Sequence, residues 1–300
     1  MRYGTWRLLC LGLLPTLAWG QSPVSPPATR AEATPQEAAA RSPYVPPGYE
    51  LSFQDEFDAL QLDTRATGKG WQTYFPWTDA CPGFNVRYFA DNADQQLWVD
   101  PDYNVEGKRL KMPVHLLTAD GTVQLLAKPV PSQKLQLTQG FRYVGAAMTT
   151  QCRFWQQFGY FEARLRFRFG QGQHWAFWML PKNPEHPHLE LDIVERVGIK
   201  GERSRVYQNS HGEPTDISFV EVDGNEEDWI TYGLEWNEEE ITWFVDGEPT
   251  RRVKNYIWEP MYLIICCEIG NSWVGDPDES TPWPTVAEVD YVRAYQKPKD

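Results

Sequence analysis

The stretch HLELDIVERVG, residues 188–198, sets Glu190, Asp192 and Glu195 into an otherwise apolar run at spacings of two and then three. Neither regular element explains it. In a strand successive side chains alternate faces, so Glu190 and Asp192 share a face while Glu195, five residues beyond Glu190, falls on the other. A β-bulge resolves the conflict: one extra residue between Asp192 and Glu195 returns the second glutamate to the shared face and bends the strand there. Leu189, Leu191, Ile193, Val194 and Val197 then mostly face the core or are absorbed in the bulge. The expected product is a row of three carboxylates on a concave sheet face.

The surrounding sequence has the same strand character. From Tyr49 onward, short runs rich in β-branched and aromatic residues alternate with polar ones and are broken by Gly, Pro, Asn and Asp, as in GYFEARLRFRF, HWAFWML, ITYGLEW, ITWFVDG, MYLIICCEI and VAEVDYVRAYQ. No stretch carries a helix period for longer than two turns. Many short strands at this spacing predict an all-β, two-sheet sandwich of jelly-roll type over residues 48–297, without internal repeats. Residues 21–47 are rich in Pro, Ala and Ser and read as a linker.

At the N-terminus, Arg2 and Arg7 precede the apolar run from Leu8 to Leu14, and Ala18-Trp19-Gly20 offers small residues for cleavage. This predicts an export signal over residues 1–20 and a secreted or periplasmic protein. The run is shorter than the roughly 20 residues a membrane span needs, so no membrane association is expected after cleavage. A net charge of -13 argues against nucleic acid or an anionic membrane as partner, because both require basic surface. Cys81, Cys152, Cys266 and Cys267 permit disulfides whose pairing the sequence leaves open. Adjacent Cys266 and Cys267 on one strand should point to opposite faces.

Three neighbouring carboxylates repel, so at least one proton tends to stay bound near neutral pH. Retaining glycoside hydrolysis asks for that: an ionised nucleophile and a protonated acid about 5 to 5.5 Å apart across the scissile bond. The spacing therefore suggests Glu190 as nucleophile, Glu195 as acid/base and Asp192 as their support. A solvated strand face and a divalent-metal site are the competing readings of the triplet alone.

ELDIVE (190–195) resembles the E-x-D-x-x-E signature of glycoside hydrolase family 16, in the bulged variant found in laminarinases, agarases and carrageenases. Further resemblances follow in the family's order: LSFQDEFDALQLD (51–63), NADQQLWVDP (92–101), FGYFEARLRF (158–167), HWAFWMLP (174–181), ITWFVDG (241–247) and VDYVRAYQ (289–296). They cover about 250 residues, far more than the triplet. The resemblance implies a concanavalin A-like jelly roll with an open concave cleft and an endo-acting, retaining hydrolase of β-linked polysaccharide that needs no cofactor for catalysis. It gives Glu190, Asp192 and Glu195 the roles just reached from spacing, and it places His211, Asn92 and Trp178 in the cleft. His174 and Trp175, standing where the family has Trp and Pro, are carried as substrate-binding positions as well. It also implies a structural calcium held by Glu56, Gly107 and Asp290, and a monomer.

For the polymer, β-1,3 or mixed β-1,3-1,4 glucan is the expectation. His186 and His188 replace a Trp-Pro usual before the nucleophile, and together with Arg87 they keep a galactan or an acidic exopolysaccharide open. A non-catalytic glucan-binding lectin and a transglycosylase are the remaining alternatives.

Overall fold

The computed structural model describes residues 42–76, 85–186, 188–222 and 228–298. The expected export signal and most of the linker lie outside them. Among the described residues the chain forms two large sheets with only short 3-10 turns between strands. The two-sheet sandwich expected from alternation is what is found. One sheet has ten strands, with a central path through Glu240–Val245, Ile230–Trp236, Gly159–Arg168, Thr285–Gln296 and Val123–Pro129. The other has eight: Phe219–Glu221, Arg205–His211, Glu190–Val197, Gln173–Pro181, Met261–Ile269, Ala147–Thr149, Trp71–Gln72 and Leu62–Asp63.

Strand Gln173–Pro181 shows how the layers separate. Trp175, Phe177 and Met179 point into the main core between the sheets, with Leu191, Ile193, Ile265 and Trp243. Ala176, Trp178 and Leu180 point the other way, into a second cluster with Phe75, Trp98 and Tyr262. Period-two alternation thus buries both faces of this strand, which is why it reads as an almost unbroken apolar run. Trp175 is therefore not a sugar-binding residue: it has no exposed surface, and its indole N–H donates to Thr285 Oγ1 at 2.9 Å inside the core. The resemblance aligned it with a cleft position, but its parity with His174 sends it to the opposite face.

The adjacent cysteines obey the same rule. Cys266 joins the second cluster and Cys267 the main core, both as free thiols. Cys152 is disulfide-bonded.

The folded domain begins earlier than residue 48. Ser42 donates its hydroxyl to Glu162 at 2.8 Å and its backbone N–H to Tyr295 Oη at 3.3 Å. Val45 and Tyr49 pack with Tyr160 and Tyr295. The Pro-rich composition that marked 42–47 as linker is compatible with a turn-rich segment packed against a sheet, because proline needs no ladder partner.

Replacing Trp175 by Phe should lower the unfolding free energy by roughly 1–3 kcal/mol, from the cavity and the lost hydrogen bond, while leaving oligosaccharide affinity unchanged. Urea unfolding and a sugar-binding titration on the same variant check both halves; weakened sugar binding in a normally stable variant would return Trp175 to the cleft.

Candidate active site

The register around the carboxylates contains the bulge the spacing calls for. Asp192 lies opposite Asn209 and Glu195 opposite Tyr207, so three steps along the acid strand match two along Arg205–His211. On the other side, Trp178 pairs with Asp192, Ala176 with Glu195, and Phe177 with Val194. Ile193 and Val194 are both taken into the main core. Glu195 consequently returns to the face that carries Glu190 and Asp192. A bulge disrupts the ladder locally, and a buried carbonyl needs a donor. Trp243, reaching across from the other sheet, donates its indole N–H to the Asp192 carbonyl oxygen at 2.7 Å. Past the strand's end, Gly198 leaves room for a neighbouring loop: a Cβ there would stand 1.6 Å from the Gly170 carbonyl oxygen.

The three acids differ in access. Side-chain exposure is 30% for Glu190, 10% for Glu195 and 2% for Asp192. Glu190 is thus the most accessible to an incoming sugar, and Asp192 is an internal support. Burial, then the charge of Asp192, pushes the Glu190 carboxyl well above the usual range, and the same two causes raise Glu195. His211 stands over the pair, with Nε2 3.1 Å from Asp192 Oδ2 and 3.6 Å from Glu190 Oε1. Burial works against its charge, but the bond to Asp192 and the charges of Glu190 and Asp192 prevail, and its pKa is pushed up to about 10. Held as an imidazolium, it favours the ionised form of Glu190, which a nucleophile requires. Glu195 accepts a hydrogen bond from Asn209 Nδ2. Nitrogen Nε2 of His174 lies 3.0 Å from its other oxygen.

The remaining sequence candidates divide. His211 is where the resemblance put it. His174 reaches the site as a buried partner of Glu195, not as an exposed sugar contact. Trp178 lies on the correct side of the sheet but is buried against Phe75 and Phe89, with its indole N–H toward Cys266 Sγ at 3.4 Å. It is a packing residue next to Asp192, its partner across the strand pair. Asn92 is exposed and stands 3.5 Å from Glu268 Oε2, close to the His174 side of the site. Arg87 does not offer a free cation for an acidic polymer: it is buried, with Asp100 at 2.7 Å and the Trp98 carbonyl at 3.0 Å. His186 is engaged by Glu259 at 2.9 Å.

The calcium set does not fit a cation as folded. Glu56 is gripped by Arg293 through two bonds of 2.7 and 2.9 Å, and Asp290 receives Arg164 at 2.7 Å. Gly107 sits on an exposed hairpin turn. An ion would have to displace two guanidinium groups from the only carboxylates of that set. In the site itself Glu190, Asp192 and His211 each bring a potential ligand atom within 4.8 Å of the others. An imidazolium, however, presents N–H donors and no lone pair.

Sequence reasoning missed Asn209, Trp243 and Glu268. Asn209 was readable in principle: once the bulge is accepted, it lies two residues from His211 and shares its face. The other two act from strands that only the fold brings near.

The profile of the glycosyl hydrolases family 16 matches residues 114–293 of this chain. Endo-1,3-1,4-beta-glycanase EglC of Rhizobium meliloti is 31% identical over 254 residues, covering 83% of this chain and 52% of the relative. Endo-1,3-1,4-beta-glycanase ExsH of the same organism is 28% identical over 253 residues, with the same two coverages of 83% and 52%. The chain thus spans about half the length of these curated relatives. In fold it is similar to the laminarinase of Rhodothermus marinus, with a TM-score of 0.64 and 24% identity over 84% of this chain and 98% of that one.

Two outcomes test the site's physics. Exchanging Trp243 for Phe leaves the Asp192 carbonyl without its indole donor and should cost about 1–3 kcal/mol of stability, measured by urea unfolding; an unchanged midpoint would show that the bulge does not need this bond. The second concerns His211. Its folded pKa is raised above the unfolded value near 6.5, so its stabilisation is complete below about pH 6.5 and is lost as pH rises through about 10. The difference in unfolding free energy between the native chain and His211→Gln should narrow by at least about 1 kcal/mol between pH 6.5 and 10. A constant difference would contradict the ion pair.

Proposed function

This chain belongs to glycosyl hydrolase family 16, and from that premise we propose that it is an endo-acting hydrolase of β-1,3 or mixed β-1,3-1,4 glucan that retains anomeric configuration. The observation that carries the reading is the bulge, which sets Glu195 on the face of Glu190 and Asp192 with a histidine against each end of the acid row. A lectin has no need of that arrangement. The polymer follows the names of the two Rhizobium meliloti relatives, both endo-1,3-1,4-beta-glycanases. The engagement of Arg87 and His186 within the protein removes the chief reason to favour an acidic polymer.

In this mechanism the ionised form of Glu190, which the His211 imidazolium favours against burial and the charge of Asp192, attacks the anomeric carbon as Glu195 gives its proton to the departing glycosidic oxygen. A covalent glycosyl ester on Glu190 results, with inverted configuration. Asp192, fixed by His211, keeps negative charge beside Glu190 as the sugar acquires oxocarbenium character. Glu195, now ionised, takes a proton from water, which attacks the anomeric carbon, releases the Glu190 carboxylate and restores the original configuration. Beside the acid row the same sheet face carries a packed cluster of rings that includes Trp178. The N-terminal signal pattern supports action outside the cytoplasm, where such polymers are met.

The test uses the mature chain on laminarin and mixed-linkage β-glucan, with products followed by NMR from the first turnovers. New reducing ends should appear first as the β-anomer, and Glu190→Ala should lose at least about 1,000-fold in rate. Adding azide to Glu190→Ala should yield an α-glycosyl azide. Early α-anomer would overturn retention; inactivity on both glucans, with another polymer cleaved, would overturn the substrate.

A further inference from the structure

Behind Glu195 the sheet carries a second row of buried charges. Ala176 lies opposite Glu195, and His174, two residues earlier on the same strand, shares that face on the next rung. Glu268 of strand Met261–Ile269 lies directly opposite His174. Three adjacent strands therefore present Glu195, His174 and Glu268 side by side, all under 10% exposed. The imidazole sits between the two carboxylates, with Nε2 3.0 Å from Glu195 and Nδ1 3.8 Å from Glu268. Glu268 is itself fixed, by Asn271 Nδ2 at 2.7 Å and Asn92 Nδ2 at 3.5 Å. Trp273 meets the His174 ring nearly edge-on at 5.1 Å and shields it.

We propose that His174 is a positioning residue for Glu195: backed by Glu268, it holds the acid/base carboxyl in place and governs whether that carboxyl carries its proton. The proposal rests on the reading of Glu195 as acid/base.

Opposing influences set the protonation of Glu195. Burial, and then the charge of Asp192 on the acid strand, favour protonated Glu195. His174 from the neighbouring strand and His211 from the strand beyond oppose them, and Asn209 bonds to the carboxyl as a neutral donor. Of the two cations His174 is the one in contact with Glu195. Burial acts against the charge of His174, but the adjacent carboxylates of Glu195 and Glu268 outweigh it and push its pKa up to about 10. Asp94, also buried near Glu268, is raised to about 8 by burial and by the charge of Glu268, so it adds less negative charge to the row. Double displacement needs Glu195 protonated in one half-reaction and ionised in the next. A fixed cation at its edge offsets the pull of Asp192 and keeps both states within reach.

The measurement that decides is carbon NMR titration of Glu195 in the mature chain carrying carboxyl-labelled glutamate, its signal assigned with Glu195→Gln. In His174→Gln the Glu195 titration should move up by about one pH unit or more, since an opposite charge at this distance shifts a carboxyl by roughly 1–3 units. The alkaline limb of kcat/KM should move with it. A folded His174→Gln with an unmoved Glu195 titration overturns the proposal. Should that variant not fold, the reciprocal coupling is read in Glu195→Gln by nitrogen NMR of His174, whose titration should fall by about one unit or more; an unmoved histidine overturns the proposal equally. Neither titration requires turnover, so an inactive enzyme would count against the glucanase reading and leave the coupling of His174 to Glu195 measurable on its own.

Discussion

One extra residue in one strand decides where the chemistry can happen. Without the mismatch between Asp192–Glu195 and Asn209–Tyr207, strand parity would send Glu195 into the space between the sheets, among Leu191, Ile193 and Trp243. An unpaired carboxylate there would be costly, and the acid row would lack its third member. The bulge places a second apolar residue, Val194, in that space beside Ile193 instead. It is supported from the opposite sheet by the Trp243 indole, so packing between the layers and placement of the acids are one problem with one solution.

The second constraint is charge. Asp192 is almost fully buried beside two glutamates, and such a group persists only with partners close at hand. The two histidines answer this from opposite ends: His211 against Asp192 and Glu190, His174 against Glu195. Each imidazolium stabilises negative charge where crowding would otherwise hold a proton, and each divides the row into groups with different tasks. The same attraction that ionises the histidines ties the stability of the domain to pH.

Much of this was legible because period-two patterning and acid spacing are local signals. E-x-D-x-x-E on an apolar strand leaves a bulge as the one way to gather three acids on a face, and HWAFWML reads as a strand. What escaped depends on contacts between strands distant in sequence. Glu268 meets His174 only because Met261–Ile269 pairs with Gln173–Pro181, and Trp243 meets Asp192 only across the sandwich. Trp175 was misplaced although parity with His174 was available to correct it, because a matched motif outweighed the geometry of the strand. The calcium positions were carried by resemblance, and Arg164 and Arg293, which engage the two acids, lie on strands whose register the sequence does not reveal.

The proposed role of the bulged strand, delivering Glu190 to the sugar as nucleophile with Asp192 beneath it and Glu195 beside it, is tested most directly by trapping the glycosyl–enzyme with a 2-deoxy-2-fluoro β-laminaribiosyl fluoride and locating the modified residue by peptide mass spectrometry. A single adduct on Glu190, absent from Glu190→Gln, is the predicted result. An adduct on Asp192 or Glu195 would contradict the assignment of the acids, and with it the order that the bulge imposes on them.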